Sequence, residues 1–261
     1  MKTTQNLHCQ IDGTGPDLVL LHPVGLDGTF MGPLLAAASR GHRVVSVDLP
    51  GHGRSPAADA NAGIDDYVAA VRAVIARSCS GPVVVLGLSF GGMLAQLLAL
   101  THPRSVAALV LCGCTGGFAP DVRPLLRERG AAALRGGMAA VVEPTIERWF
   151  TPAFRADRRV DAVRARLQGD EPANWNAGWQ AISTFDALPR LGEIAVPTLV
   201  VAGDCDAATP LAAATALSRA IPGARLAVLE GAPHMMQIER GEAFNDAVAG
   251  FLAGLGPHQA G

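Results

Sequence analysis

Lysine is almost missing from this chain: of 21 basic residues, Lys2 is the only lysine. An amine that could form a Schiff base or act as a lysine general base is therefore not expected in any site. Charged residues are scarce at 17%, and the net charge is −2, so there is no electrostatic case for nucleic acid or an anionic membrane as partner. No stretch reaches the roughly 18 uninterrupted apolar residues of a membrane span. The first 15 residues lack the apolar core of a signal peptide, which makes a cytoplasmic location the expectation. Cysteine is sparse: Cys9, Cys79, Cys112, Cys114 and Cys205 are odd in number and lack the paired two-residue spacing of a zinc site. They read as reduced, mostly buried thiols, and neither a metal nor an organic cofactor is expected.

What is present is apolar material, 49% of 261 residues, enough for a full core. Short apolar runs bounded by turn residues alternate with helical patterns. Leu7–Ile11 alternates weakly, and the turn cluster at 12–16 reads as a hairpin into the buried strand Leu18–Leu21. Arg43–Leu49, Val83–Leu88, Val106–Cys112, Pro197–Gly203 and Arg225–Leu229 read as further strands. Helices are expected at Leu34–Ala38, Ile64–Ser78, Gly91–Thr101, Leu211–Ile221 and near Ile238–Leu252, with a frayed tail at Gly254–Gly261. This alternation implies a mostly parallel, doubly wound α/β sheet.

The alternation stops between Phe118 and Phe185. That segment reads as helical runs broken by Pro120, Pro124, Pro144, Pro152 and Pro172, and it holds ten arginines against eight carboxylates and all three tryptophans. The expected organisation is therefore a core of residues 1–117 and 186–261 carrying an inserted helical cap, 118–185. Trp149, Phe154 and Trp179 of the cap, with Met235, are the expected substrate contacts, and Arg127, Arg135 and Arg148 are cap arginines that could reach a pocket.

Chemistry is carried by Val83–Met93. A strand runs into Gly87-Leu88-Ser89-Phe90-Gly91 and then into a helix, so Ser89 sits at a sharp turn whose flanking glycines remove side chains that would clash. A serine hydroxyl is a poor nucleophile until a base takes its proton, and that base needs an orienting carboxylate. Ligands of an open parallel sheet gather at the carboxyl ends of its strands, so base and acid should follow strands directly. His234 meets that condition; His8, His42, His102 and His258 do not. His22 and His52 follow strands that precede the serine. After Val201-Ala202-Gly203 the acid is Asp204 or Asp206. An oxyanion needs two backbone donors. Phe90 at the helix start supplies one, and Val24 is the candidate for the other, since Pro23 has no N–H.

In order, LHPVG (Leu21–Gly25), DLPGHGRS (Asp48–Ser55), GLSFGG (Gly87–Gly92), AGDCDAATP (Ala202–Pro210) and GAPHMMQIE (Gly231–Glu239) resemble the α/β-hydrolase family over nearly the whole chain. The resemblance implies that fold, a triad of Ser89, Asp206 and His234, and Asp206 over Asp204. Pro23 stands where the family usually has glycine. GLSFGGMLAQ (Gly87–Gln96), ERWFTPAF (Glu147–Phe154) and the stretch from Trp179 to Asp186 are similar to 3-oxoadipate enol-lactonases of aromatic degradation. That similarity implies a serine hydrolase that opens a small lactone or ester through an acyl-enzyme. Carbon–carbon bond hydrolysis and cofactor-free perhydrolysis on the same residues are the alternatives within the family. A non-catalytic binding protein on the scaffold is the alternative outside it, and such proteins usually lack a triad member.

Overall fold

The computed structural model describes residues 6–31 and 41–255. The expected helix at Leu34–Ala38 and residues 256–261 of the expected tail lie outside the described residues. The apolar runs form β1 (Cys9–Asp12), β2 (Asp17–Leu21), β3 (Arg43–Val47), β4 (Val83–Leu88), β5 (Val106–Cys112), β6 (Thr198–Gly203) and β7 (Arg225–Leu229). Among the described residues they make one seven-stranded sheet in the order β1-β3-β2-β4-β5-β6-β7. Every pair is parallel except β1 with β3. All residues of β2, β4 and β6 are buried, as strands must be when helices cover both faces of a parallel sheet. The mostly parallel, doubly wound α/β architecture is the one the sequence implies.

One pairing differs. The turn at 12–16 does not close a hairpin: β1 pairs antiparallel with β3, Cys9 opposite Val47 and Asp12 opposite Val44. Burial explains the exchange. Leu18–Leu21 of β2 are wholly apolar and take an interior place between β3 and β4. Gln10 and Ile11 of β1 are exposed and suit an edge.

Helix α1 (Ile64–Ser78) opens with the Gly63 N–H donating to Asp66 Oδ2 at 2.9 Å, so its first-turn acids satisfy a free amide and complement the dipole. Helix α2 (Phe90–Thr101) follows β4 with only Ser89 between them. Between β5 and β6 the chain forms α3 (Arg123–Gly136), α4 (Ala139–Trp149), α5 (Arg158–Gln168) and α6 (Pro172–Thr184). Pro124 and Pro172 lie in first turns, where a missing N–H costs nothing. Pro144 does not break its run: it lies inside α4, whose Val141, Val142, Thr145, Ile146 and Trp149 are buried and hold the helix together through packing. The two ends of this insertion meet at an isolated bridge, Gly117 opposite Asp186. Arg166 of α5 donates to Asp27 Oδ2 at 2.8 Å and lies 3.3 Å from Asp170, which ties the insertion to the loop after β2.

After β6 come α7 (Leu211–Ala220), α8 (Met236–Glu239) and α9 (Gly241–Ala253). The last two replace the single closing helix expected. Arg240 breaks it, with φ −121° and ψ 41°, and its Nε donates to the Gly231 carbonyl at 3.2 Å. No helix among the described residues is long and apolar enough to cross a membrane.

Candidate active site

The turn between β4 and α2 is the most constrained point of the backbone. Ser89 has φ 54°, the only positive φ outside glycine among the described residues. Such a conformation costs an L-residue on the order of 1–2 kcal/mol and survives only where the surroundings enforce it. They do so sterically. A Cβ at Gly87 would lie 2.2 Å from the Gly91 carbonyl oxygen, and a Cβ at Gly91 would lie 2.2 Å from the Leu21 carbonyl oxygen. The Ser89 N–H donates to the Cys112 carbonyl at 2.8 Å, pinning the turn to the end of β5. Phe90 begins α2, so its own N–H has no acceptor within the helix. Its ring is buried, edge-on to Tyr67 at 5.1 Å between centroids.

The loops after β6 and β7 bring a second pair together. His234 Nδ1 lies 2.8 Å from Asp206 Oδ2, with side chains only 2% and 1% exposed. A carboxylate only accepts, so the proton is on Nδ1 and Nε2 is left as a base. The other Asp206 oxygen, Oδ1, accepts the N–H groups of Ala208 and Thr209, both at 2.8 Å. The whole carboxylate is thereby fixed in place. Asp204 is exposed, and of the two aspartates it is Asp206 that meets His234.

Ser89 and His234 open on one cavity, whose floor and near walls are Val24, Met93, Ala208 and Thr209. The insertion supplies the rest: Phe118, Leu126, Arg129, Arg148, Trp149, Trp179 and Ile182. The free space is small, ≈ 40 Å³, room for a water or so. Trp149 lies 6.1 Å from the His234 ring between centroids, and its carbonyl accepts the Met235 N–H at 3.1 Å. The Val24 N–H has no partner among the described residues, leaving it free for a ligand oxygen.

Of the expected substrate contacts, Trp149 and Trp179 line the cavity and two do not. Phe154 lies past the turn at Pro152, stacked on Phe150 at 5.9 Å with the Arg159 guanidinium 4.4 Å from its ring centre. Met235 is fully buried behind His234, where its sulfur lies 3.7 Å from Gln237 Nε2. Among the arginines, Arg148 reaches the cavity, while Arg127 is exposed and Arg135 pairs with Glu128 at the surface. Arg129 was not singled out by sequence. The buried stripe Leu126, Gly130, Ala133 on α3 is the signal that places it inward. Burial lowers the pKa of Arg129, and burial together with the Arg129 charge lowers that of Arg148 to about 10, so both stay cationic near neutrality. Among the described residues no group of three or more His, Cys, Asp or Glu side chains is gathered as a metal site.

His22 and His52 have other work. The Leu49 N–H donates to His22 Nε2 at 2.9 Å and His22 Nδ1 donates to the Pro23 carbonyl at 2.7 Å, joining the loop that carries Val24 to the loop after β3. Burial, reinforced by neighbouring His52, lowers the His22 pKa from 6.5 to about 3. Burial also lowers that of His52. The folded protein therefore keeps His22 neutral where the unfolded chain takes up a proton. Stability is full above pH 6.5 and is lost as the pH falls from there towards 3, by about 1.4 kcal/mol per unit for a single buried group. Urea unfolding at about pH 7.5 and about pH 5.5 should show the loss, and His22→Gln should flatten it; equal slopes in the two proteins would contradict this assignment.

The model of the Alpha/beta hydrolase family matches residues 18–247. Over 252 residues, 92% of this chain, the sequence is 36% identical to polyketide synthase ThaQ of Burkholderia thailandensis, of which it spans only 12%. It is 30% identical over 249 residues to the pimeloyl-acyl-carrier-protein methyl ester esterase of Aeromonas hydrophila subsp. hydrophila, covering 92% of this chain and 96% of that one. Among solved structures, the enol-lactonase from Burkholderia xenovorans LB400 superposes with a TM-score of 0.90 at 30% identity, covering 96% of this chain and 99% of that one.

Proposed function

Since the chain belongs to the alpha/beta hydrolase family, we propose that it is a serine hydrolase that cleaves a small carboxylic ester or lactone, with 3-oxoadipate enol-lactone as the specific substrate. The carrying observation is that Ser89, on its strained turn, and His234 face one cavity, with Asp206 2.8 Å behind His234 Nδ1. In this reading Ser89 Oγ attacks the ester carbonyl as His234 Nε2 takes its proton. The Val24 and Phe90 N–H groups receive the oxyanion. His234 then gives the proton to the departing alkoxide, which in a lactone stays attached to the acyl chain, and the acyl group remains on Ser89. Next His234 takes a proton from a water that attacks the acyl carbon, the acyl–oxygen bond to serine breaks as His234 returns that proton to Ser89 Oγ, and the acid leaves as its carboxylate. Asp206 holds the Nδ1 proton and stabilises the imidazolium throughout.

The names of the two relatives, an ester esterase and an enol-lactonase, support the ester-hydrolase reading over the family's other chemistries. Residues 118–185 serve as the cap over a core of 1–117 and 186–261, with Trp149 and Trp179 against the substrate. All five cysteines are free, which suits a reducing, cytoplasmic setting. A panel of lactones, aryl esters and dienones tests the assignment. Turnover of the first two without the third is expected; dienone cleavage alone would move the reading to carbon–carbon bond hydrolysis.

A further inference from the structure

Arg129 and Arg148 both line the cavity that holds Ser89, and neither forms an ion pair with a carboxylate among the described residues. Arg123, Arg135, Arg159, Arg164 and Arg166 of the same insertion pair with Asp or Glu; of the rest, Arg127 and Arg158 are exposed and Arg155 donates to the Phe150 and Glu147 carbonyls, so Arg129 and Arg148 are the two that bring an unpaired charge to this cavity. Arg129 has only the Trp179 ring, 5.2 Å from its guanidinium carbon, and Arg148 only a long contact of 3.4 Å to Thr145 Oγ1. Two half-buried like charges face one small space: burial lowers the pKa of both, and the Arg129 charge lowers that of Arg148 further. A third donor completes the group. Trp179 is 8% exposed, lines the cavity, and its indole Nε1–H has no partner. An unmet buried donor and two unpaired cations call for one acceptor with negative charge.

We propose that Arg129, Arg148 and the Trp179 indole N–H form an anion subsite for a carboxylate that the substrate carries at the end remote from its ester carbonyl. The inference rests on Ser89 being the nucleophile and assigns the residues that select for the second carboxylate of a monoester or lactone of a dicarboxylic acid, whatever its chain length. A planar carboxylate matches the guanidinium fork, and Val24, Leu126 and Ile182 offer apolar wall to the methylenes in between.

The test compares monomethyl succinate, glutarate, adipate and pimelate with the methyl esters of monocarboxylic acids of equal length. Wild type should favour at least one monoester over its neutral counterpart by about tenfold or more in kcat/KM. The double variant Arg129→Met/Arg148→Met should lose that preference, mainly through KM. Trp179→Phe, which removes the N–H together with the pyrrole ring and keeps an aromatic face beside Arg129, should reduce it about threefold and serves if the double variant does not fold. Equal rates on both ester series in wild type, or a preference kept in both variants, would overturn the subsite. Labelling of Ser89 by a fluorophosphonate reads the reaction machinery separately. Adipate binding by calorimetry reads the subsite even in a protein that does not label: binding to wild type that weakens in either variant supports it, and no binding to wild type overturns it.

Discussion

Replacing Ser89 with alanine is expected to lower ester hydrolysis by a factor on the order of 10⁶ in kcat, leaving only what the oxyanion donors and binding supply. The argument is geometric. The hydroxyl is held on a turn at φ 54° by glycines that tolerate no Cβ, and no other serine shares the cavity with His234. Ser89→Gly separates this chemistry from folding. Glycine adopts positive φ without strain, so that variant should be equally inactive yet more stable by about 1 kcal/mol in urea unfolding. An active Ser89→Ala protein would remove the nucleophile, and a destabilised Ser89→Gly protein would remove the strain argument.

Asp206→Asn is expected to cost about 10⁴ in kcat with little change in stability. Asn keeps the oxygen that accepts from Ala208 and Thr209, both 2.8 Å away, and so turns its NH₂ towards His234. An NH₂ donates where the carboxylate accepted, which moves the imidazole proton to Nε2, and that nitrogen can no longer act as a base. Asp204→Asn is the control. Asp204 is exposed and lies outside the cavity lining, so its variant should stay within about twofold of wild type. A large loss at Asp204 with little at Asp206 would reverse the assignment.

The sequence is informative where local rules decide. β4 and β5 have the expected bounds because buried parallel strands are unbroken apolar runs flanked by turns. Ser89 and His234 were legible as polar residues in the turns that follow strands, whereas position left Asp204 and Asp206 open and only the family resemblance implied Asp206; the structure brings His234 and Asp206 into contact. Long-range packing decides the rest. The turn at 12–16 cannot tell whether β1 lies beside β2 or β3; that depends on which strand is apolar enough for the interior. Phe154 and Arg129 depend on the angle at which the inserted helices dock. Gly130 lets α3 approach α6 closely, a Cβ there falling 2.8 Å from Asn176 Oδ1, and this contact sets Arg129 rather than Arg127 towards the cavity. Pro144 lies inside a helix because five buried neighbours outweigh one lost hydrogen bond.

The most direct test of the account is to react the wild-type protein with a fluorophosphonate and locate the label by peptide mass spectrometry. A single adduct on Ser89, absent from Ser89→Ala and slowed in Asp206→Asn, is the predicted result. No adduct, or an adduct on another residue with Ser89 unmodified, would contradict it.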